Sequence, residues 1–133
     1  MKLTLLALIT PVLSHILPRA DPVPTTHKVL VGHPVREKSL AFVPPSLKAA
    51  VGDTVQFQFR PFNHTVTQSV GPAAPCSPMG SSSIINSGFV PGAAEADKEV
   101  PVFEVRVASA EPMYLYCGQP PHCNLGMVMV INP

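Results

Sequence analysis

Seventeen of the 133 residues are proline, and they are spread over the whole length of the chain. Proline costs about 3 kcal/mol in a helix interior, because it lacks a backbone N–H and clashes with the preceding turn. No stretch between these prolines keeps a helical period of apolar residues. The sequence therefore predicts an all-β fold.

Alternation of apolar and polar side chains supports this prediction. Residues 53–60 alternate valine and phenylalanine with glutamine, and residues 102–107 alternate apolar residues with Glu104 and Arg106. Each segment would place one face in the core and the other in water. Shorter apolar runs between turn formers predict further strands at 27–31, 40–43, 47–51, 65–70, 113–117 and 127–131. Together they indicate a small antiparallel β-sandwich of about seven to eight strands.

The first fourteen residues have the pattern of a signal peptide. Lys2 gives a positive start, an apolar stretch runs from Leu3 to Leu13, and Ser14 is a small residue at a cleavage position. Cleavage could also lie later, up to about residue 20. The apolar stretch is shorter than the roughly 18 residues that cross a bilayer, and no second one follows. We therefore expect a secreted, extracellular protein without a transmembrane segment.

Removal of residues 1–14 would leave about 119 residues with eight basic and eight acidic side chains. That length suits one domain with one core. A neutral chain has no basic face for nucleic acid and no charge run for an anionic membrane. We expect a single-domain monomer that does not bind nucleic acid.

Four residues carry the pattern of a metal site. Cys117, His122 and Met127 have four residues between each pair, and His64 lies far upstream. One thiolate, two imidazoles and a weak axial thioether form the ligand set of a type 1 (blue) copper site. Four ligands of the right types in this order are far more specific than a lone histidine or methionine. The sequence thus predicts one copper ion bound by these residues.

The chain has three cysteines, which is an odd number for a secreted protein. Two can close a disulfide while the third binds metal. Cys76 lies in a stretch rich in Pro, Ser, Gly and Ala, from Gly71 to Pro91, that is predicted to be a long surface loop in need of an anchor. In an alternative, Cys117 pairs with Cys76 or Cys123, and the fold is only a disulfide-stapled sandwich.

Several motifs together resemble a known family, the cupredoxin-like domain of fungal extracellular serine-rich proteins, and more distantly the plant phytocyanins. The motifs that carry the resemblance are Val51-Gly-Asp-Thr-Val-Gln-Phe-Gln-Phe, Asn63-His-Thr-Val-Thr-Gln-Ser, Pro75-Cys76, Ser87-Gly-Phe-Val-Pro91, Tyr114-Leu-Tyr-Cys-Gly-Gln and His122-Cys-Asn-Leu-Gly-Met-Val.

The resemblance covers residues 27–133 and implies a Greek-key cupredoxin sandwich with a type 1 copper held by the same four ligands. It also implies a disulfide between Cys76 and Cys123. Such a bond closes a loop of about 47 residues, worth about 4 kcal/mol in the chain-entropy model. Many fungal relatives carry a Ser/Thr-rich tail and a lipid-anchor signal. This chain stops at Pro133, so we expect no anchor.

Asn63 allows two interpretations, since Asn63-His-Thr65 is the only N-glycosylation sequon in the chain. A glycan there would crowd the copper. Alternatively, the Asn63 side chain hydrogen-bonds the backbone of the cysteine loop and holds the ligand geometry, and we favour this role because metal ligands generally need such support. Full glycan occupancy in secreted material, measured by mass spectrometry, would contradict it.

The ligand set favours one-electron transfer with an unidentified redox partner. An apolar rim of Pro120, Pro121, Leu125 and Phe62 would provide the docking surface. We expect no enzyme, because catalytic metal sites keep an open coordination position and four protein ligands close this one.

Two alternatives remain open. One is an extracellular or cell-surface structural or interaction protein that keeps the cupredoxin fold and binds copper weakly or not at all. The other is a copper chelate formed by the α-amine and imidazole of His15 after signal cleavage, which lacks a clearly placed partner histidine.

Overall fold

The computed structural model describes residues 21–80, 85–94 and 99–133. The predicted signal peptide at 1–14 and His15 lie outside these ranges. Within them, no helix has the length and hydropathy needed to cross a membrane. The regular structure of the described residues consists of ten strands and two short 3-10 helices, Arg36–Lys38 and Cys123–Leu125. In chain order the strands are β1 (Thr26–Val31), β2 (Phe42–Val43), β3 (Ser46–Leu47), β4 (Thr54–Phe59), β5 (Asn63–His64), β6 (Thr67–Gln68), β7 (Val90–Pro91), β8 (Val102–Arg106), β9 (Met113–Tyr116) and β10 (Val128–Ile131).

The strands form two four-stranded sheets and a small ribbon. The first sheet has the order β2-β1-β4-β8, the second has the order β3-β10-β9-β6, and β5 pairs with β7. β1 lies parallel to β4 and β3 lies parallel to β10, whereas the other pairs of these sheets are antiparallel. The predicted all-β sandwich is confirmed, with sheets that are mixed rather than wholly antiparallel.

The core lies between the sheets. It contains the apolar face of β4, as the alternation in the sequence predicts. Val55, Phe57 and Phe59 are fully buried, while the glutamines between them are half-buried. Phe57 packs edge to face on Phe42, with ring centroids 6.4 Å apart. Ile131 of the second sheet belongs to the same cluster. Each such buried side chain contributes about 1.5–3 kcal/mol, so a one-residue slip of β4 would be very costly.

Many strands are shorter than predicted, since five of the ten have only two residues. The strand predicted at 65–70 is reduced to β6 and an isolated bridge at Ser69. The predicted loop at 71–91 is correct over most of its described residues, but its last two residues form β7 and pair with β5. The sequence did not predict this ribbon, because proline and asparagine are unfavourable in strands and neither segment alternates.

The end of the sandwich where β1 and β4 begin holds a buried carboxylate. Oδ1 of Asp53 accepts the Thr25 backbone N–H at 2.8 Å. Oδ2 accepts the Ala50 N–H at 2.9 Å and Nε2 of His27 at 2.8 Å. The Thr25 N–H and the His27 side chain lower the pKa of Asp53 to about 2. The predicted metal ligands lie at the opposite end.

Candidate metal centre

Three of the four predicted ligands meet at the end of the sandwich where β1, β4 and β9 stop. His64 is the second residue of β5, Cys117 directly follows β9, and His122 lies in the loop before β10. The Cys117 sulfur is 3.8 Å from Nδ1 of His64 and 3.5 Å from Nδ1 of His122. The three donor atoms all lie within 4.8 Å of one another. One sulfur and two imidazole nitrogens therefore converge on one point.

His64 is fixed by the segment before it and by the end of β1. Its Nε2 lies 2.9 Å from the carbonyl oxygen of Pro61, which can only accept, so Nε2 carries the proton. Nδ1 is then free of its proton and faces Cys117. Gly32 has φ +79°, and a Cβ at this position would lie 2.5 Å from Nε2 of His64. Any side chain at position 32 would displace the imidazole.

The Cys117 side chain is fully buried and accepts the Thr65 backbone N–H at 3.3 Å. Burial raises the pKa of the Cys117 thiol. Burial also lowers the pKa of His64 and of His122. All three shifts favour the uncharged forms of these groups. A bound cation favours the thiolate instead, because metal binding releases the thiol proton.

The ligand loop, residues 117–127, closes on itself through backbone hydrogen bonds. Cys117 N donates to Met127 O at 3.1 Å, and Met127 N donates to His122 O at 3.0 Å. His122 N donates to Gln119 O at 2.8 Å. Gly126 has φ +98° and ends the 3-10 turn that follows His122. The backbone thereby fixes the three predicted ligands of the loop relative to one another.

Met127 is fully buried, one residue before β10. Its N–H donates to the carbonyl oxygen of His122, and its own carbonyl oxygen accepts the N–H of Cys117. The Met127 backbone therefore lies next to both of these predicted ligands. Its role as an axial ligand stays a prediction.

The disulfide implied by the resemblance is present. Cys76 is bonded to Cys123, and Cys117 is the free cysteine. The alternative in which Cys117 forms a disulfide is therefore wrong. The bond anchors the loop after β6 directly next to His122, and the third sulfur is left with the two imidazoles.

Asn63 supports the ligand loop in a different way from the one predicted. Its side-chain amide donates to Oε1 of Gln119 at 3.1 Å, and not to a backbone group. The backbone contact comes from Thr65, whose hydroxyl oxygen accepts the Gly118 N–H at 2.6 Å. A glycan would be attached at the Asn63 nitrogen that makes this bond.

Sequence reasoning missed Thr65, Gly32 and Gln119. A signal for Thr65 was available, because it is a polar residue directly after the predicted ligand His64. Gly32 had no such signal, since its contact with His64 depends on how β1 lies beside β4.

No family model matches the chain. It is 38% identical over 95 residues to a protein of Arthroderma benhamiae named "Probable GPI-anchored cupredoxin-1". It is 37% identical over 107 residues to an "Extracellular serine-rich protein" of the same fungus. These alignments cover 71% and 80% of this chain but 45% and 39% of the relatives. The chain thus spans less than half the length of the curated relatives it matches.

Solved structures show the same fold at low sequence identity. Rusticyanin from Thiobacillus ferrooxidans aligns with a TM-score of 0.57 and 24% identity, over 83% of this chain and 77% of that one. A mutant fern plastocyanin aligns with a TM-score of 0.55 and 20% identity, over 78% of this chain and 96% of that one. Auracyanin A from Chloroflexus aurantiacus aligns with a TM-score of 0.54 and 22% identity, over 82% of this chain and 98% of that one. The predicted cupredoxin-like sandwich is confirmed by these likenesses.

The cupredoxin fold, with a candidate site formed by His64, Cys117 and His122, supports a blue-copper-like protein. Within that class, the chain belongs with the cupredoxin-like domains of fungal extracellular serine-rich proteins, which confirms the resemblance seen in its sequence. The donor chemistry also fits copper, since soft sulfur with two imidazoles suits this metal better than a hard cation.

Proposed function

We propose that the protein binds one copper ion in a type 1 site formed by His64, Cys117, His122 and the axial Met127. The observation that carries this proposal is the convergence of one thiol sulfur and two imidazole nitrogens within 4.8 Å, with Cys117 and His64 fully buried. Copper in such a site supplies a one-electron couple, because the thiolate favours Cu(I) and the imidazoles keep Cu(II) accessible.

We further propose that this site serves one-electron transfer with a redox partner. Contacts within the protein hold the ligands in place, since the ligand loop is closed by its own backbone and His64 is fixed by Pro61 and Gly32. Such preorganisation limits rearrangement between oxidation states, which favours fast transfer. Catalysis is not part of the proposal, because four protein ligands leave no open position.

We propose exposed apolar residues of the ligand loop, together with Phe62, as the contact for that partner. Pro120 and Pro121 are exposed, and Leu125 and Phe62 are 63% and 64% exposed. Phe62 also has φ +81°, an uncommon conformation for a bulky residue. Exposed apolar groups that lie together are typical of interaction sites.

Secretion and domain organisation complete the proposal. Residues 1–14 act as the signal peptide, and residues 27–133 act as one cupredoxin-like domain that is monomeric. Support comes from the signal pattern and from the Cys76–Cys123 bond, because disulfides persist mainly in oxidising compartments. The printed names of the two fungal relatives, GPI-anchored and extracellular, agree with this location.

The visible spectrum tests the copper site directly. Purified protein loaded with Cu(II) should show an intense thiolate-to-copper band and narrow EPR hyperfine splitting. Cys117→Ser should abolish the band, whereas Met127→Gln should keep the colour and shift the reduction potential. Persistence of the band without Cys117 would contradict the assignment.

Two further outcomes would redirect the function. A colourless wild-type protein after copper loading, with the fold intact by circular dichroism, would leave a structural or interaction role. Oxygen consumption by the copper-loaded protein with a phenolic donor would instead indicate an enzyme.

A further inference from the structure

Charged side chains are distributed unevenly around the candidate metal centre. The ligand loop at 117–127 contains no Asp, Glu, Lys or Arg. The same is true of residues 71–80, which carry the disulfide to that loop. The described surface on the His122 side is therefore uncharged.

The His64 side carries the charges. The 3-10 helix Arg36–Lys38 contributes two cations and Glu37, and Arg60 directly follows β4. These two segments therefore contribute three cations and one anion. We call Arg36, Lys38 and Arg60 the cationic edge.

Backbone contacts fix the cationic edge beside His64. A Cβ built on Gly32 would meet Nε2 of His64 at 2.5 Å and the Ser39 carbonyl oxygen at 3.2 Å. The Ser39 hydroxyl in turn donates to the Arg36 carbonyl oxygen at 2.8 Å, which holds the 3-10 helix next to this point. On the other flank, Arg60 N donates to the carbonyl oxygen of Val31 at 2.9 Å.

The cationic edge is not neutralised by other described residues. Arg36 and Lys38 are exposed. The ion pair found within the described ranges lies at the opposite end of the sandwich, between His27 and Asp53. Nε of Arg60 is buried and has no hydrogen-bond partner. The charges of the exposed Arg36 and Lys38 are thus available to an approaching molecule.

We propose that the cationic edge orients an electron-transfer protein whose contact surface carries carboxylates. The uncharged surface around His122 takes the centre of the contact, and the edge sets the orientation from the His64 side. Opposite charges at the border of an interface steer encounter and select the partner more than they add affinity. This inference rests on the electron-transfer function proposed above. Only one electron is exchanged, so no proton or leaving group has to be placed.

The first experiment uses the metal-free protein. Hexacyanochromate(III), a paramagnetic trianion, is added to ¹⁵N-labelled protein, and it should broaden the amide signals of residues 36–38 and 60 before any others. The double variant R36E/K38E should lose this broadening. The matched control K28E/K48E changes the net charge equally, within β1 and after β3, and should keep it. Uniform broadening over the whole surface, or broadening that survives in R36E/K38E, overturns the proposal.

The second experiment measures the reduction rate of the Cu(II) protein by hexacyanoferrate(II) and by hexaammineruthenium(II), each of which donates one electron. At low ionic strength, R36E/K38E should react about ten-fold more slowly with the anionic complex and faster with the cationic one. K28E/K48E should change both rates much less. Equal effects of the two double variants would show that net charge alone acts, and would overturn the proposal.

The two failures can be told apart. An absent visible band in the copper-loaded wild type counts against the proposed function, while the hexacyanochromate titration still decides whether the cationic edge binds anions. A normal band with charge-independent rates counts against the cationic edge alone.

Discussion

The two ends of the sandwich both bury polar side chains, but they differ in how these groups are satisfied. At one end, the carboxylate of Asp53 receives hydrogen bonds from Thr25, Ala50 and His27. At the other end, one sulfur and two imidazole nitrogens face one another. There the Thr65 N–H and the Gln119 backbone hydrogen-bond the sulfur.

This difference separates a stabilising cluster from a binding site. A buried polar group with all its hydrogen bonds made needs no further partner and fastens the strands around it. A thiol and two imidazole nitrogens that converge can share the thiol proton, or can bind a cation once that proton is released. The Asp53 end is thus complete in the protein alone, while the His64 end has a donor set that could hold a metal ion.

The largest expected loss of stability comes from Asp53→Ala. The variant removes the acceptor of two backbone N–H groups and of His27, so the thermal unfolding midpoint should drop by several degrees. The visible band of the copper-loaded protein should keep its position, because Asp53 lies at the other end. Asp53→Asn retains one acceptor oxygen and should cause a smaller drop. A band that moves in either variant would show that the two ends are not independent.

Acid should weaken the Asp53 end in a defined range. The hydrogen bond from Thr25 and the His27 side chain hold the pKa of Asp53 at about 2, against 3.8 without them. Because the folded value is the lower one, the stabilisation is complete above about pH 4 and is lost as the pH falls toward 2. Thermal midpoints measured over this range should fall more in the wild type than in Asp53→Asn. Parallel curves would show that Asp53 is not responsible.

Gly32→Ala should affect the metal end most. A left-handed backbone costs a non-glycine residue about 1–2 kcal/mol, and the new Cβ would also collide with Nε2 of His64. We expect lower stability together with a weakened or shifted copper band. Gly52→Ala is the matched control, because Gly52 has φ +97° with nothing within 4 Å of the added Cβ. It should lose similar stability from strain and keep the band, and a changed band in both variants would refute the role of Gly32.

The sequence predicts those parts of the protein that depend on neighbours in the chain. Cys117, His122 and Met127 lie in one short segment, so their spacing alone reveals the loop that the structure closes with local hydrogen bonds. The buried face of β4 is equally local, because alternation within a strand decides which side chains enter the core.

The surroundings of His64 could not be predicted in the same way. Gly32 meets the imidazole because β1 lies parallel to β4, and this register depends on packing between distant segments. Asn63 finds Gln119 across 56 positions of sequence, so neither residue indicates the other. The predicted ligands can be identified from residue types and spacing, while the contacts that support them depend on the assembled fold.

Thr65→Val should have a smaller effect at the same end. It keeps the shape of the side chain but removes the hydroxyl that accepts the Gly118 N–H, and an unsatisfied buried donor costs about 1–3 kcal/mol. Denaturant unfolding should report this loss, and the reduction potential should shift because the cysteine loop is less firmly held. Thr65→Ser retains the hydroxyl and should behave much more like the wild type. If the serine and valine variants lose equal stability, packing of the methyl group and not the hydrogen bond is the cause.

The smallest expected effect concerns the bond between Asn63 and Gln119, which are both half-buried. Asn63→Ala and Gln119→Ala should each lower the free energy of unfolding by about 0.5–1.5 kcal/mol, the usual range for one hydrogen bond. If this bond joins the His64 side to the ligand loop, the double variant should lose less than the sum of the two single losses. Strict additivity in the double-mutant cycle would mean that the two side chains act separately. The two sides would then be joined mainly through Thr65, and substitutions at Asn63 should leave the copper band unchanged.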